Sequence, residues 1–419
     1  MAVTTITSNN KLIQFTREIN REFVRNNLFS PYMGEGLDAI IRIRQEFKQG
    51  GEQMNIPLVT KLAGAGKSTG PLAGAEERID NYGMRLWLDW WRHAVVTTKA
   101  ENQKDSTDIF GEAKSLLSDR GKELQRDEII AALAALPSES APANLGGDEG
   151  QRVNGIFWEL STSAQRNAWL ADNVDRVLFG NAISNHVSGS TIASCGSALS
   201  VIGSVKLTAT TVQMLKRRAE VCSPKIRPYK TRDGYEYYVL FAGTYAFRDA
   251  KSDPTIFQAN RDSRPREGRT MDDNPIFQDG DLLYDGVIIR KVPEISTFVD
   301  NTWTGMSTAA GTFSSGGGTA ASSSGRTEPV FLCGQQAAAL CFGQMAKPTF
   351  RKEDDYGFIT GTGIEMAYGI GKMFKKGNMY IPGTSSLVSA ASGNNSGGGA
   401  TSLTQWGVVT GFFYAARDS

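Results

Sequence analysis

Two extended runs separated by a small-residue tip constrain this chain more than any other feature. From Gln53, the residues Met54, Ile56, Leu58 and Leu62 alternate with polar ones, the period of a half-buried strand. A second run follows, with Ile79, Tyr82, Met84, Leu86, Leu88 and Trp90. Between them lies Ala63 to Ala75, which contains Gly64, Gly66, Gly70 and Gly74. This pattern predicts an extended hairpin over residues 53–96. A two-stranded hairpin is marginally stable by itself, so it needs a surface to lie on. Burial of its apolar face on such a surface contributes about 25 cal/mol per Å² of apolar area.

Phe15, Ile19, Phe23 and Phe29 fall at partial helical spacing, Pro31 interrupts it, and Leu37, Ile40, Ile41 and Ile43 resume an apolar stripe. Residues 1–52 are therefore expected to form a helical arm. Its alternating charges (Arg17, Glu18, Arg21, Glu22, Arg25) fit a solvated face or a subunit interface. Asp105 to Leu136 predicts a long helix stopped by Pro137, ~48 Å if continuous. Gly111 and Gly121 weigh against continuity. A loop over 138–150 precedes a second helix expected from Phe157 to Phe179, and a third runs from Thr208 to Val221. Strand-like runs occupy Tyr235 to Phe241, Val287 to Val292 and Val330 to Cys333. A polar, Arg-rich stretch spans Asp249 to Asp281, and Thr302 to Thr327 and Ser385 to Ser402 are Gly/Ser-rich tracts. Gly363 to Phe374, Met379 to Ile381 and Val408 to Ala415 read as strands of one closing sheet.

Composition narrows the function. Across 419 residues, 45 Lys and Arg face 44 Asp and Glu, and 40% of residues are hydrophobic, which argues against a disordered chain. A net charge of +1 argues against a globally basic nucleic-acid face. Residues 1–11 lack the plan of a signal peptide, and the longest apolar run, Ile129 to Leu136, is far short of a membrane span. Cys195, Cys222, Cys333 and Cys341 form no C-x-x-C pair and read as buried thiols. No metal or cofactor site is expected.

Candidate chemistry is thin. Gly64-Ala65-Gly66-Lys67-Ser68-Thr69 looks like the end of a phosphate loop. Lys61 stands where the first Gly belongs, and Gly70, Pro71 and Gly74 follow instead of a helix. A flexible tip is the plainer reading, with an enzyme using Lys67 as a rival. His93 and His186 lie in no catalytic motif, and the acidic clusters at 272–273, 279–281 and 353–355 lack a calcium-loop plan. Two basic clusters remain: Lys216, Arg217, Arg218, Lys225, Arg227, Lys230 and Arg232, and then Arg261, Arg264, Arg266 and Arg269. They fit inter-subunit ion pairing better than nucleic-acid binding, given the balanced charge.

The order of parts carries a resemblance. Phe29-Ser30-Pro31-Tyr32-Met33-Gly34, Asn55-Ile56-Pro57-Leu58 and the stretch from Gly361-Thr362-Gly363 to Phe374-Lys375-Lys376-Gly377 resemble the major capsid family of the phage N-four. The likeness covers most of the chain and implies an α+β capsid fold of the Hong Kong 97 type. It implies an N-terminal arm (1–52), an extended hairpin loop (53–96) and a peripheral domain with a spine helix (97–199). An axial domain (200–346) and C-terminal strands returning to the peripheral domain (347–419) complete the plan. The implied function is a non-enzymatic major capsid protein, self-assembling into hexamers and pentamers of an icosahedral shell around double-stranded DNA. The alternative is an encapsulin-like compartment. Implied partners are further copies of the chain, portal protein, scaffolding protein, a decoration protein and packaged DNA touched non-specifically, with no membrane. Assembly would take place in the host bacterial cytoplasm. Candidate inter-subunit contacts are Met54, Ile56, Leu58, Lys67, Ile79, Leu86, Trp90, Arg261, Arg264, Arg266 and Arg269.

Overall fold

A computed structural model describes residues 27–45, 52–59, 66–73, 76, 81–104, 112–199, 205–230, 234–263, 281–302, 327–351, 356, 358–376 and 402–415. The chain opens with strands β1 (Met33–Gly34), β2 (Ile41–Gln45), β3 (Gln53–Val59), β4 (Asn81–Trp87) and β5 (Asp89–Thr98). Helices α1 (Lys99–Lys104) and α2 (Ala113–Ala134) follow, then β6 (Val153–Asn154), α3 (Ser163–Asp172) and β7 (Val177–Phe179). Next come α4 (Ile192–Leu199), α5 (Ala209–Val221), β8 (Tyr229–Lys230), β9 (Glu236–Ala242), α6 (Thr244–Ser252) and α7 (Pro254–Ser263). The last part holds β10 (Leu282–Tyr284), β11 (Val287–Lys291), α8 (Pro293–Thr302), β12 (Thr327–Cys333) and β13 (Ala338–Phe350). It ends with β14 (Ile359–Lys372), β15 (Phe374–Lys376), β16 (Leu403–Gln405) and β17 (Val408–Tyr414).

Among the described residues these strands make two larger sheets and two ribbons. One sheet runs β1-β2-β13-β14-β5, with β6 also against β14. The other runs β10-β11-β9-β12-β17-β7, with β8 beside β9. The ribbons are β3-β4 and β15-β16. The second sheet is a wall between two cores. Val239, Phe241, Phe331, Cys333, Val408 and Phe412 face one core. Tyr238, Leu240, Val330, Leu332, Val409 and Phe413 face the other. The central strands β9, β12, β17 and β7 keep the period of two, but both of their faces are largely buried because both are covered.

Helix α2 changes character along its length. Ala113, Leu117 and Gly121 mark one buried face, and then Glu128 through Ala134 are all buried. Ion pairs one turn apart, Asp119–Lys122 at 3.1 Å and Arg120–Glu123 at 2.6 Å, line the solvated half. The helix continues through Gly121, which faces Trp91 and Met366. Thr162 and Gln165 form a reciprocal capping box that starts α3.

Several expectations are corrected. Leu37, Ile40, Ile41 and Ile43 do not continue a helix. Ile41 and Ile43 alternate with Arg42 and Arg44 in β2, which pairs in parallel with β13. The second hairpin run is two strands: β4 pairs with β3, whereas β5 leaves to pair with β14. The helix expected to reach Phe179 ends at Asp172, and Val177–Phe179 is a buried strand parallel to β17. The polar stretch from Asp249 includes α7. The C-terminal runs do not close one sheet, since β14 and β17 belong to different ones. The expected long helix is described from Ala113, so its first turns lie outside the described residues. So do Phe15, Ile19 and Phe23, Met379 to Ile381, and nearly all of both Gly/Ser tracts.

Candidate functional site: the hairpin and its anchor

The hairpin ribbon pairs in antiparallel register from Gln53↔Trp87 to Val59↔Asn81. Its alternation sets one face inward. Met54, Ile56, Leu58, Met84 and Leu86 are buried against Ala339 and Cys341 of β13 and against Met373 and Phe374. The face expected to need a neighbour is thus covered by the chain itself. Gln53, Asn55, Pro57, Val59 and Arg85 form the exposed face. Pro57 has no N–H to offer, which suits an edge strand and blunts strand addition there.

The root of the hairpin, Trp87-Leu88-Asp89, is fastened by polar side chains. Asn154 mimics a strand: its Oδ1 accepts the Trp87 N–H at 2.8 Å, and its Nδ2 donates to the Trp87 carbonyl at 3.0 Å. Asp89 is buried; its Oδ2 accepts the N–H of Gln151 at 2.7 Å and of Gly146 at 3.2 Å. The 144–152 loop is thereby wrapped onto the start of β5. Gly369 of β14 passes so close to Trp87 that a Cβ there would lie 2.0 Å from the Trp87 carbonyl oxygen. A side chain at Gly371 would likewise press on Leu86, at 2.7 Å. These strand glycines mark a close backbone approach.

Below the root, Glu128 of α2 accepts from Arg152 at 2.7 Å and from the Tyr368 hydroxyl. Burial raises the Glu128 carboxyl despite the opposing Arg152, and it raises the Tyr368 hydroxyl as well. The arrangement joins α2, the residue just before β6, and β14 by a buried charge pair whose second carboxylate oxygen is also bonded. It braces the site from below.

The remaining sequence candidates are scattered. Lys67 is exposed, its ammonium 3.4 Å from the Pro71 carbonyl, and no helix begins between Gly66 and Ala73. Trp90 is 52% exposed, so its indole is available to a partner. Arg261 lies in the last turn of α7, while Ile79, Arg264, Arg266 and Arg269 lie outside the described residues. The earlier basic cluster is partly used inside the chain. Arg218 is buried and donates to the Val177 carbonyl at 2.8 Å, Lys216 meets Asp285 at 3.1 Å, and Lys230 meets Glu236 at 2.6 Å.

His186 is buried between the carbonyls of Val177 and Leu170, at 3.1 and 3.2 Å, and burial holds it below the ordinary histidine value. His93 stands edge-on to Trp91. None of the four cysteines forms a disulfide and all are buried, and burial pushes the Cys195 thiol up to about 11. A buried, protonated thiol is a poor nucleophile. Among the described residues, no group of three His, Cys, Asp or Glu is placed to hold a metal, and no helix is long and apolar enough to cross a membrane.

Sequence reasoning missed Asn154, Asp89 and Glu128. Their partners are 67, 62 and 24 residues away in sequence, and no local pattern announces them.

Exposed residues therefore lie on a well-anchored ribbon and on sheet positions such as Trp90. The pattern of the family described as phage capsid protein matches residues 4–380. The capsid of cyanophage Pam1 is 29% identical over 100% of both chains, with a TM-score of 0.76. The capsid of Ralstonia phage GP4 is 15% identical over 100% of both chains, with a TM-score of 0.63. The head of Helicobacter pylori bacteriophage KHP40 is 12% identical over 97% of this chain and 96% of the other, with a TM-score of 0.59. These last two carry the fold alone. A search of curated proteins finds no match. The chain belongs to the phage capsid protein family: it has the α+β architecture of the Hong Kong 97 type and is a major capsid protein, a structural protein of the phage shell.

Proposed function

We propose that copies of this chain close into hexamers and pentamers of an icosahedral shell around double-stranded DNA. The observation that carries this is the match to the Pam1 capsid over the whole of both chains, at 29% identity. In this reading residues 1–52 are the arm and 53–96 the extended loop that lies over a neighbour. Residues 97–199 form a peripheral domain with α2 as its spine, and 200–346 an axial domain meeting its copies at the symmetry centres. The 347–419 segment rejoins both parts, since β14 and β17 enter different sheets. The work is association rather than catalysis: many modest contacts, repeated by symmetry, add to a strong collective hold.

The exposed face of the hairpin, Trp90 and the Arg261 region are the surfaces offered to neighbours. Met54, Ile56, Leu58 and Leu86 support that contact from below by fixing the ribbon in place. A portal protein, a scaffolding protein and a decoration protein complete the particle, which assembles in the bacterial cytoplasm. DNA touches the inner surface without sequence preference. Electron microscopy of the expressed full chain, with and without its scaffolding partner, tests the reading. Closed particles of uniform size are expected, and a subunit that stays monomeric in both conditions overturns it.

A further inference from the structure

The hairpin is held at its root and again toward its far end, where three elements meet at one carboxylate. Glu139 lies in the turn after α2. Its Oε1 accepts the Tyr82 hydroxyl of β4 at 2.6 Å, and its Oε2 pairs with the Lys376 ammonium that ends β15. Tyr82, Gly83, Arg85, Glu139 and Lys376 line a polar cleft of about 280 Å³. Beneath it the Tyr82 ring meets the buried Phe374 ring at 6.3 Å. Glu139 is the sole carboxylate among the described residues of this cleft, and it stands among two cations and a phenol.

One exposed ion pair alone contributes little to stability. Here a single carboxylate is bonded from two directions by two different ribbons. That fixes an angle, which a lone pair between flexible side chains does not. Burial would raise the Glu139 carboxyl, but its bonds to Lys376 and Tyr82 outweigh this and hold it below the ordinary glutamate value. The carboxylate is therefore charged, and the link is made, at neutral pH.

We infer that Glu139 is a positioning residue that locks the far half of the hairpin to the β15 ribbon and so sets the direction of the hairpin before any neighbour arrives. The inference depends on the proposed function only for its consequence, that a preset hairpin meets its neighbour with less ordering cost. Without Glu139, Arg85 and Lys376 share one cleft with no anion among its described lining residues, and β4 loses the Tyr82 hydroxyl bond that ties its far end to β15 through the carboxylate. The root, held by Asn154 and Asp89, is untouched.

Hydrogen exchange on the unassembled full-length chain tests this, because it reads the hairpin without requiring a shell. Glu139→Ala is expected to speed exchange of the 81–87 amides by about tenfold, with β12 and β17 unchanged. Tyr82→Phe, which removes one hydroxyl, gives a smaller rise at the same amides. The charge swap Glu139→Lys with Lys376→Glu restores part of the protection, which a merely space-filling role does not allow. Wild-type exchange at 81–87 in Glu139→Ala overturns the inference, as does a rise spread evenly over the chain or a swap that restores nothing. A wild-type chain that forms no particles, while the variants show the expected exchange pattern, counts instead against the shell reading and leaves the lock standing.

Discussion

Strands β3 and β17 are both seven residues long, and they bury themselves in opposite ways. In β3 every second residue is buried, whereas in β17 every residue is. The difference lies in the number of covered faces. The hairpin rests one face on β13 and β15 and presents the other to solvent. β17 stands inside a wall with Trp158, Trp169 and Phe179 on one side and Leu215, Val330 and Leu332 on the other. One region is a body that folds for its own sake. The other is a ribbon with a covered underside and an exposed outer surface.

The largest expected effect breaks the wall. Phe412 stacks on Phe179 at 4.8 Å and meets Trp158 and Trp169 at 5.8 and 6.4 Å. Phe412→Ala leaves a cavity that nearby rings cannot fill and is expected to cost about 3–5 kcal/mol. Denaturant unfolding of the full chain measures it, and the loss should appear in every probe. Ile56→Ala, in the hairpin, is expected to cost about 2–3 kcal/mol in its own cluster. Its signature is local: exchange rises at 53–59 and 81–87 while the midpoint read from the wall moves less. Equal global losses from both variants would show that hairpin and body unfold as one unit, and the comparison would fail.

The same contrast decides what could be read from sequence. The alternation Met54, Ile56, Leu58 gives the hairpin its outline because one face is polar. The runs at 330–333 and 408–415 were visible as strands, but with both faces apolar nothing in them tells which sheet they join. Ile40, Ile41 and Ile43 fit a helical stripe as well as a strand, and only pairing with β13 decides for the strand. Val177–Phe179 fits the end of a helical stripe for the same reason, and only pairing with β17 decides for the strand. The anchor was not legible at all. Asp89, Glu139 and Asn154 are ordinary polar residues until the chain brings Gln151, Lys376 and Trp87 to them. Gly369 showed as a strand glycine, but its reason, the Trp87 carbonyl, is a tertiary one.

A smaller effect is expected where the two regions meet. Lys372 ends β14, just before the Met373 and Phe374 that cover the hairpin, and it is buried near Cys333 with its ammonium 6.0 Å from the Trp169 ring. Burial lowers it to about 7 from the ordinary 10.5. As pH falls below 10.5 the unfolded chain charges this lysine first, so folding loses stability until the folded lysine charges as well near 7. Stability should therefore climb as pH rises from 7 toward 10. Lys372→Met should flatten that climb relative to wild type in melting curves taken at matched pH. An unchanged slope would mean that the lysine reaches water in the folded chain.

The smallest expected change in the subunit separates folding from assembly. Trp90 lies on β5 at the foot of the hairpin, opposite Ala367, with half its surface exposed. Since the indole fills no core, Trp90→Ala should cost the isolated chain less than about 1 kcal/mol. Buried aromatic anchors carry much of the energy of protein contacts, so in the proposed shell the same change should act strongly. The expected outcome is a soluble chain with an almost unchanged melting temperature and a much lower yield of closed particles by sedimentation. Normal particle yield would remove Trp90 from the contact and leave the outer face of the ribbon, with Asn55, Val59 and Arg85, as the surface to alter next. A large loss of melting temperature would place the indole in the body of the chain and erase the line drawn between ribbon and wall.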